Sequence, residues 1–223
     1  MLSSSFIKLM EVLPKPLVMK LAKMKVNGYM RKYAKINVKG LENIDKISGP
    51  KIFVCNHLSN SDGLVLNEVL KRYDPTFVAG VKLSNNPITS IGSMVVNKIS
   101  INPNTVDKDA IIKMMDILKS GNNLMIFPEG TRSRQGKMLE GKKGVLLVAK
   151  MSKATIIPIS MWGTEKLLPV NKDDNMATEE WNFSDVNVVI NKAVEIPKKE
   201  KNELKTKTLR LCLKLCDFFQ KIA

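Results

Sequence analysis

Apolar residues in this chain follow two rhythms. In SSSFIKLMEVL, Phe6, Ile7, Met10 and Leu13 recur at helical spacing behind serines able to cap a helix, until Pro14 and Pro16 interrupt. A second helix is predicted to follow, with Leu17, Leu21 and Met24 along one face and Lys20, Lys23 and Lys25 on others. Residues 1–35 thus read as an amphipathic, cationic helical hairpin ahead of the main fold. Beyond it, after a β-like VKGLENI (38–44), come apolar runs of strand length: KIFVCN (51–56), TFVAGV (76–81), MVVNKISI (94–101), NLMIFP (123–128), ATIIPIS (154–160) and VNVVI (186–190). Helical patterns lie between or after them, near 63–72, 105–119, 141–151 and 203–222. Strands alternating with helices predict one α/β domain over residues 36–223, a mostly parallel twisted sheet flanked by helices. Sheets of this kind usually carry their sites in loops at the carboxyl ends of strands.

Charge narrows the range of partners. The chain of 223 residues carries a formal net charge of +15, and its first forty residues hold nine Lys or Arg, from Lys8 to Lys39, against Glu11 alone. Such a balance implies a negatively charged partner: nucleic acid, an anionic bilayer or a phosphorylated substrate. Aromatic residues make up only 5%, and no nucleic-acid signature interleaves with the basic runs, so no nucleic-acid partner is expected. The basic hairpin has the composition of a segment that docks on an anionic membrane surface; an ordinary helix pair packed on the domain would share it. No apolar stretch approaches the roughly 18 residues of a spanning helix, and no export signal is apparent, so a peripheral protein at the cytoplasmic face of the membrane is expected. Cys55, Cys212 and Cys216 form no CxxC pair, and with one histidine they cannot build a Cys/His zinc site.

Two loops carry the candidate chemistry. NHLSNSD (56–62) bridges a buried strand to a helix and holds His57, the only histidine in the chain. Asp62, five residues on at the start of that helix, can reach back to the imidazole Nδ1–H, fix its tautomer and leave Nε2 as a general base. FPEGTRSR (127–134) also follows a buried strand. Gly130 permits close backbone approach, Arg132 can grip phosphate oxygens as a fork and Thr131 adds a hydroxyl. Glu129 would repel a phosphate and is expected to orient Arg132 or accept a hydrogen bond from a substrate hydroxyl. Taken alone, the same residues also read as a type I turn with solvated arginines.

In order and separation, His57 with Asp62 resembles the HxxxxD block, and Glu129 to Arg132 the EGTR block, of the glycerolipid acyltransferases, and within them of the bacterial lysophosphatidic acid acyltransferases. Ile157, Pro158 and Ile159 resemble a fourth, proline-containing block, so the likeness runs over roughly residues 36–195. The resemblance implies His57 as base, Asp62 as its orienting partner, and Glu129, Gly130, Thr131 and Arg132 around the acceptor's glycerol phosphate. It implies transfer of an acyl group from an acyl-ACP or acyl-CoA thioester to the sn-2 hydroxyl of lysophosphatidic acid, giving phosphatidic acid with no metal or cofactor. A glycerol 3-phosphate acceptor, or a non-catalytic basic membrane-binding protein, are the alternatives. One block departs from the pattern: NKISINPN has Asn102 and Pro103 where relatives carry Asp and Arg. Lys82 or Lys98 would then assist Arg132, or Lys82 is merely a solvated loop lysine. Cys55 alternates with His57 and reads either as a covalent acyl carrier or as a small buried hydrophobe. GKMLEGKK lacks the hydroxyl that follows lysine in a P-loop, and no G-x-S-x-G elbow is present, which argues against a kinase and a serine hydrolase.

Overall fold

The computed structural model describes residues 13–80, 95–102, 107–134, 138–142, 144–171 and 179–194. Phe6, Ile7 and Met10 of the expected first helix, Lys82, Cys212, Cys216 and the helix expected over 203–222 lie outside the described residues.

Helix α1 (Lys15–Tyr33) begins where the prolines stand, since a proline in the first turn gives up an N–H that has no helical partner. Its buried row is Val18, Ala22, Val26 and Met30, four residues apart. On the apolar face that carries Leu17, Leu21 and Met24, Leu17 is 42% and Met24 62% exposed, as a docking face requires, and the core is met by a different row. Fully buried Ala22 explains the choice, because a small side chain lets the helix approach the layer beneath.

From α1 the chain passes directly into β1 (Ala34–Lys39). That strand takes in only Val38 and Lys39 of the expected VKGLENI, whose Glu42, Asn43 and Ile44 instead open a short helix, α2 (Glu42–Asp45). Gly40 makes the break: its φ is +82°, and a Cβ there would collide with the Ile190 carbonyl. The remaining strands are β2 (Lys51–Cys55), β3 (Thr76–Gly80), β4 (Lys98–Ile101), β5 (Leu124–Ile126), β6 (Thr155–Trp162) and β7 (Ser184–Ile190). They lie in the order β1-β7-β6-β2-β5-β3-β4. Every neighbouring pair is parallel except β6 with β7, so the expected mostly parallel sheet is present.

Helices cover both faces because the central strands are apolar on both. From β2, Phe53 and Cys55 pack with Val26 and Met30 of α1 and Val65 and Leu66 of α3 (Asp62–Val69). Ile52 and Val54 face the opposite way, toward Met114 and Leu118 of α4 (Lys108–Lys119) and Val148 of α5 (Gly144–Ser152). Pro158 in β6 falls between an isolated bridge at Ile156 and the first β6–β7 pair at Ile159, an interruption that tolerates a residue without an N–H.

Candidate active site

Strands β2 and β5 are adjacent, parallel and in register at Val54 and Ile126, so the loops that follow them leave the same end of the sheet side by side. On the other flank of β2 lies β6, parallel and paired Cys55 to Ile159. Just past β2, the buried Asn56 carboxamide donates to the Met161 carbonyl (2.7 Å) and accepts from the Met161 N–H (2.9 Å). This side chain imitates a peptide unit and fixes the point from which the next residue, His57, departs.

The sequence-predicted pair meets. His57 Nδ1 lies 2.7 Å from Asp62 Oδ2. The same oxygen accepts the N–H groups of Leu58 (2.6 Å) and Ser59 (2.9 Å), so the loop is wound around this carboxylate. Asp62 has no exposure while the His57 side chain keeps 21%, which leaves the imidazole as the accessible partner. Its ring stacks on Phe127, with centroids 4.1 Å apart and planes within 16°. A hydrogen bond at Nδ1 alone permits rotation about its own axis; the Phe127 face restricts it.

The EGTR segment is a turn closed by Gly130 N–H donating to the Phe127 carbonyl (3.1 Å), with Pro128 at its second position. Gly130 has φ +68° and Thr131 is exposed. Glu129 turns inward. Its two oxygens accept the N–H groups of His57 (2.7 Å) and Leu139 (2.8 Å), where sequence reasoning expected Arg132 or a substrate hydroxyl. Ser133 N–H donates to the His57 carbonyl (2.7 Å), so the two loops are stitched together twice at His57.

Arg132 is not a solvated arginine: its side chain is 14% exposed and its Nη1 lies 3.6 Å from Glu179. Lys98 cannot serve the turn, because strand register sets it level with Phe53, four residues short of His57, on the edge strand. The cation that does lie against the turn is Lys142, whose Nζ comes within 2.8 Å of the position a Cβ on Gly130 would take. Asn102, in the departing block, donates its N–H to Asp107, which caps α4. Cys55 is buried among core side chains, and desolvation pushes its thiol well above the ordinary value, which favours the buried-hydrophobe reading. Sequence reasoning missed Phe127, Lys142 and Glu179. Phe127 lies within FPEGTRSR and Lys142 within GKMLEGKK, but nothing local marks Glu179, 47 residues beyond Arg132.

Burial pushes the Glu129 carboxyl up to about 7, against the opposing pull of the Leu139 and His57 N–H groups. Folding therefore favours its protonated form. The resulting stability is fully present at and below the ordinary carboxyl value and is lost as pH rises to about 7. Glu129→Gln removes this titration, and the unfolding free energies of parent and variant are expected to change relative to each other by roughly 3 kcal/mol between pH 4.5 and 7. Urea unfolding at matched pH values measures it; parallel pH dependences would contradict the assignment.

The sequence pattern of the Acyltransferase family matches residues 35–162. The chain is 29% identical over 165 residues to the chloroplastic 1-acyl-sn-glycerol-3-phosphate acyltransferase LPAT1 of Arabidopsis thaliana, covering 73% of this chain and 44% of that one. It is 30% identical over 141 residues to the 1-acyl-sn-glycerol-3-phosphate acyltransferase of Borreliella burgdorferi, covering 61% of this chain and 55% of its relative. The chain spans about half the length of the curated relatives it matches. Its fold is shared with the crystal structure of the 1-acyl-sn-glycerophosphate acyltransferase PlsC of Thermotoga maritima, at a TM-score of 0.62 and 22% identity over 96% of this chain and 87% of that one.

Proposed function

The chain belongs to the acyltransferase family, and from that premise we infer that it transfers a fatty acyl group from a thioester carrier, acyl-ACP or acyl-CoA, to the sn-2 hydroxyl of lysophosphatidic acid. The observation that carries this reading is the joining of both motifs at one residue. His57 holds Asp62 through its side chain and the EGTR loop through its backbone, so a base and an arginine-bearing turn share one rigid corner. His57 Nε2 takes the proton of the acceptor hydroxyl as that oxygen attacks the thioester carbonyl carbon. Asp62 stabilises the imidazolium, the tetrahedral intermediate expels the thiolate, and the imidazolium returns the proton to it. Arg132 grips the acceptor's phosphate, with Lys142 supplying a second cation where the departing block has Asn102 and Pro103 in place of Asp and Arg.

The lipid substrate and product favour work at a bilayer. Exposed Leu17, Met19 and Met24 on α1, beside its lysines, support docking of the N-terminal segment on an anionic, cytoplasmic-facing leaflet. No described helix is long and apolar enough to cross a membrane. The test is one assay: purified protein, lysophosphatidic acid in anionic vesicles and an acyl thioester. Phosphatidic acid is expected, together with protein that pellets with the vesicles. Pelleting without product would support the non-catalytic membrane-binding alternative instead.

A further inference from the structure

We propose that Glu179 is a positioning residue for the acceptor end of the site, holding Arg132 in place while tying it to the loop that bears His57. The proposal rests on the reading that Arg132 grips the acceptor's phosphate. Glu179 comes from the long connection after β6, so it adds a third loop to the two already joined at His57. Its side chain is 2% exposed, and a carboxylate so withdrawn from water is tolerated only where charge and hydrogen bonds compensate it. Asn60 Nδ2, from the middle of NHLSNSD, lies 2.8 Å from Oε1 and 2.6 Å from Oε2. Arg132 Nη1 lies 3.6 Å from Oε1. One buried carboxylate thus faces a side chain from each of the two motif loops.

The geometry of the Arg132 contact suits orientation without closure. At 3.6 Å the Nη1–Oε1 contact is an ion pair longer than a short charge-assisted hydrogen bond. Five N–H donors allow a guanidinium to meet a carboxylate along one edge and a phosphate along another. The carboxylate sets which way the plane of the arginine lies, and that direction decides whether both phosphate oxygens can be met at once.

Glu179 is itself held from outside the site. Two residues on, Trp181 stacks on Tyr29 of α1, with centroids 5.6 Å apart and planes within 14°, and leans on Tyr33 at 6.4 Å. Asn182 N–H donates to the Leu167 carbonyl (2.9 Å), and β7 begins at Ser184. The strand behind and the aromatic clamp beside it keep this short strap in place. Through it, α1 is linked to Arg132, which makes the seating of that helix matter for acceptor binding more than for the proton transfer at His57.

Steady-state kinetics of the full-length protein test this. Glu179→Gln keeps an oxygen for Asn60 and removes the charge that faces Arg132. It is expected to raise KM for lysophosphatidic acid about 10-fold, the usual scale of one charged hydrogen bond, with kcat and KM for the thioester within about threefold of the parent. In an Arg132→Ala background the same change is expected to add less than about twofold, because the arginine it orients is gone. Trp181→Ala loosens the strap from a distance, tests the idea should Glu179→Gln fail to fold, and is expected to give the same acceptor-selective rise, relieved in Trp181→Phe. A KM that stays at the parent value in Glu179→Gln while Arg132→Ala raises it would overturn the role of Glu179 alone. So would a fall in kcat, or effects that multiply independently. An unchanged KM in Arg132→Ala would overturn the phosphate reading and, with it, this one.

Discussion

Replacing His57 with alanine is expected to lower acyl transfer by about 10⁴-fold, the upper end of what a positioned base contributes. The size follows from composition as much as geometry, since His57 is the only imidazole in the chain and no neighbour can stand in for it. Cys55 offers no second route, being buried with its thiol pushed up by desolvation. The variant should fold, because the bonds that stitch the loops at this position use the His57 backbone and survive the loss of its ring. Product formation measured beside thermal unfolding checks both halves; a folded His57→Ala protein within tenfold of the parent would remove the imidazole from the chemistry.

Asp62→Asn comes second. Its kcat is expected to fall by about 10²- to 10³-fold, with KM for both substrates little changed. Asp62→Ala would be a poorer probe, because Leu58 and Ser59 both donate to Oδ2, and losing that acceptor costs about 1–3 kcal/mol for each buried N–H left without a partner. Asparagine with its oxygen in the place of Oδ2 keeps the acceptor for Leu58, Ser59 and the Nδ1–H, but removes the charge that stabilises the imidazolium. Wild-type kcat in this variant, with normal stability, would reduce Asp62 to a loop cap.

The strands and the two motif loops were legible in the sequence because each rests on local pattern. A run such as IFVC is apolar on both faces only where a sheet is covered twice, and Asn56 to Asp62 had to lie between such a strand and a helix. What could not be read depended on partners far away in the chain. The apolar face of α1 was visible in Leu17, Leu21 and Met24, but not the separate row of Val18, Ala22, Val26 and Met30 that the sheet buries, since the depth of packing is set by the layer beneath and not by the helix alone. Gly40 ended β1 through the carbonyl of Ile190, 150 residues on. Glu129 is expected from its motif to orient Arg132 or meet a substrate hydroxyl; the turn points it inward to two backbone N–H groups. Lys98 was plausible by proximity in sequence and is excluded only by register. Glu179 gave no local signal, for its partners Asn60 and Arg132 belong to other loops and meet it only when β2, β5 and β6 lie side by side.

The division of labour between the two loops can be measured directly, by equilibrium binding of lysophosphatidic acid, without any acyl donor, to the parent, His57→Ala and Arg132→Ala proteins. His57→Ala is expected to bind within about threefold of the parent while making no product, and Arg132→Ala to bind about 10- to 100-fold more weakly. Undiminished binding by Arg132→Ala, or loss of binding in His57→Ala, would contradict the separation of a proton-accepting loop from a headgroup-holding turn.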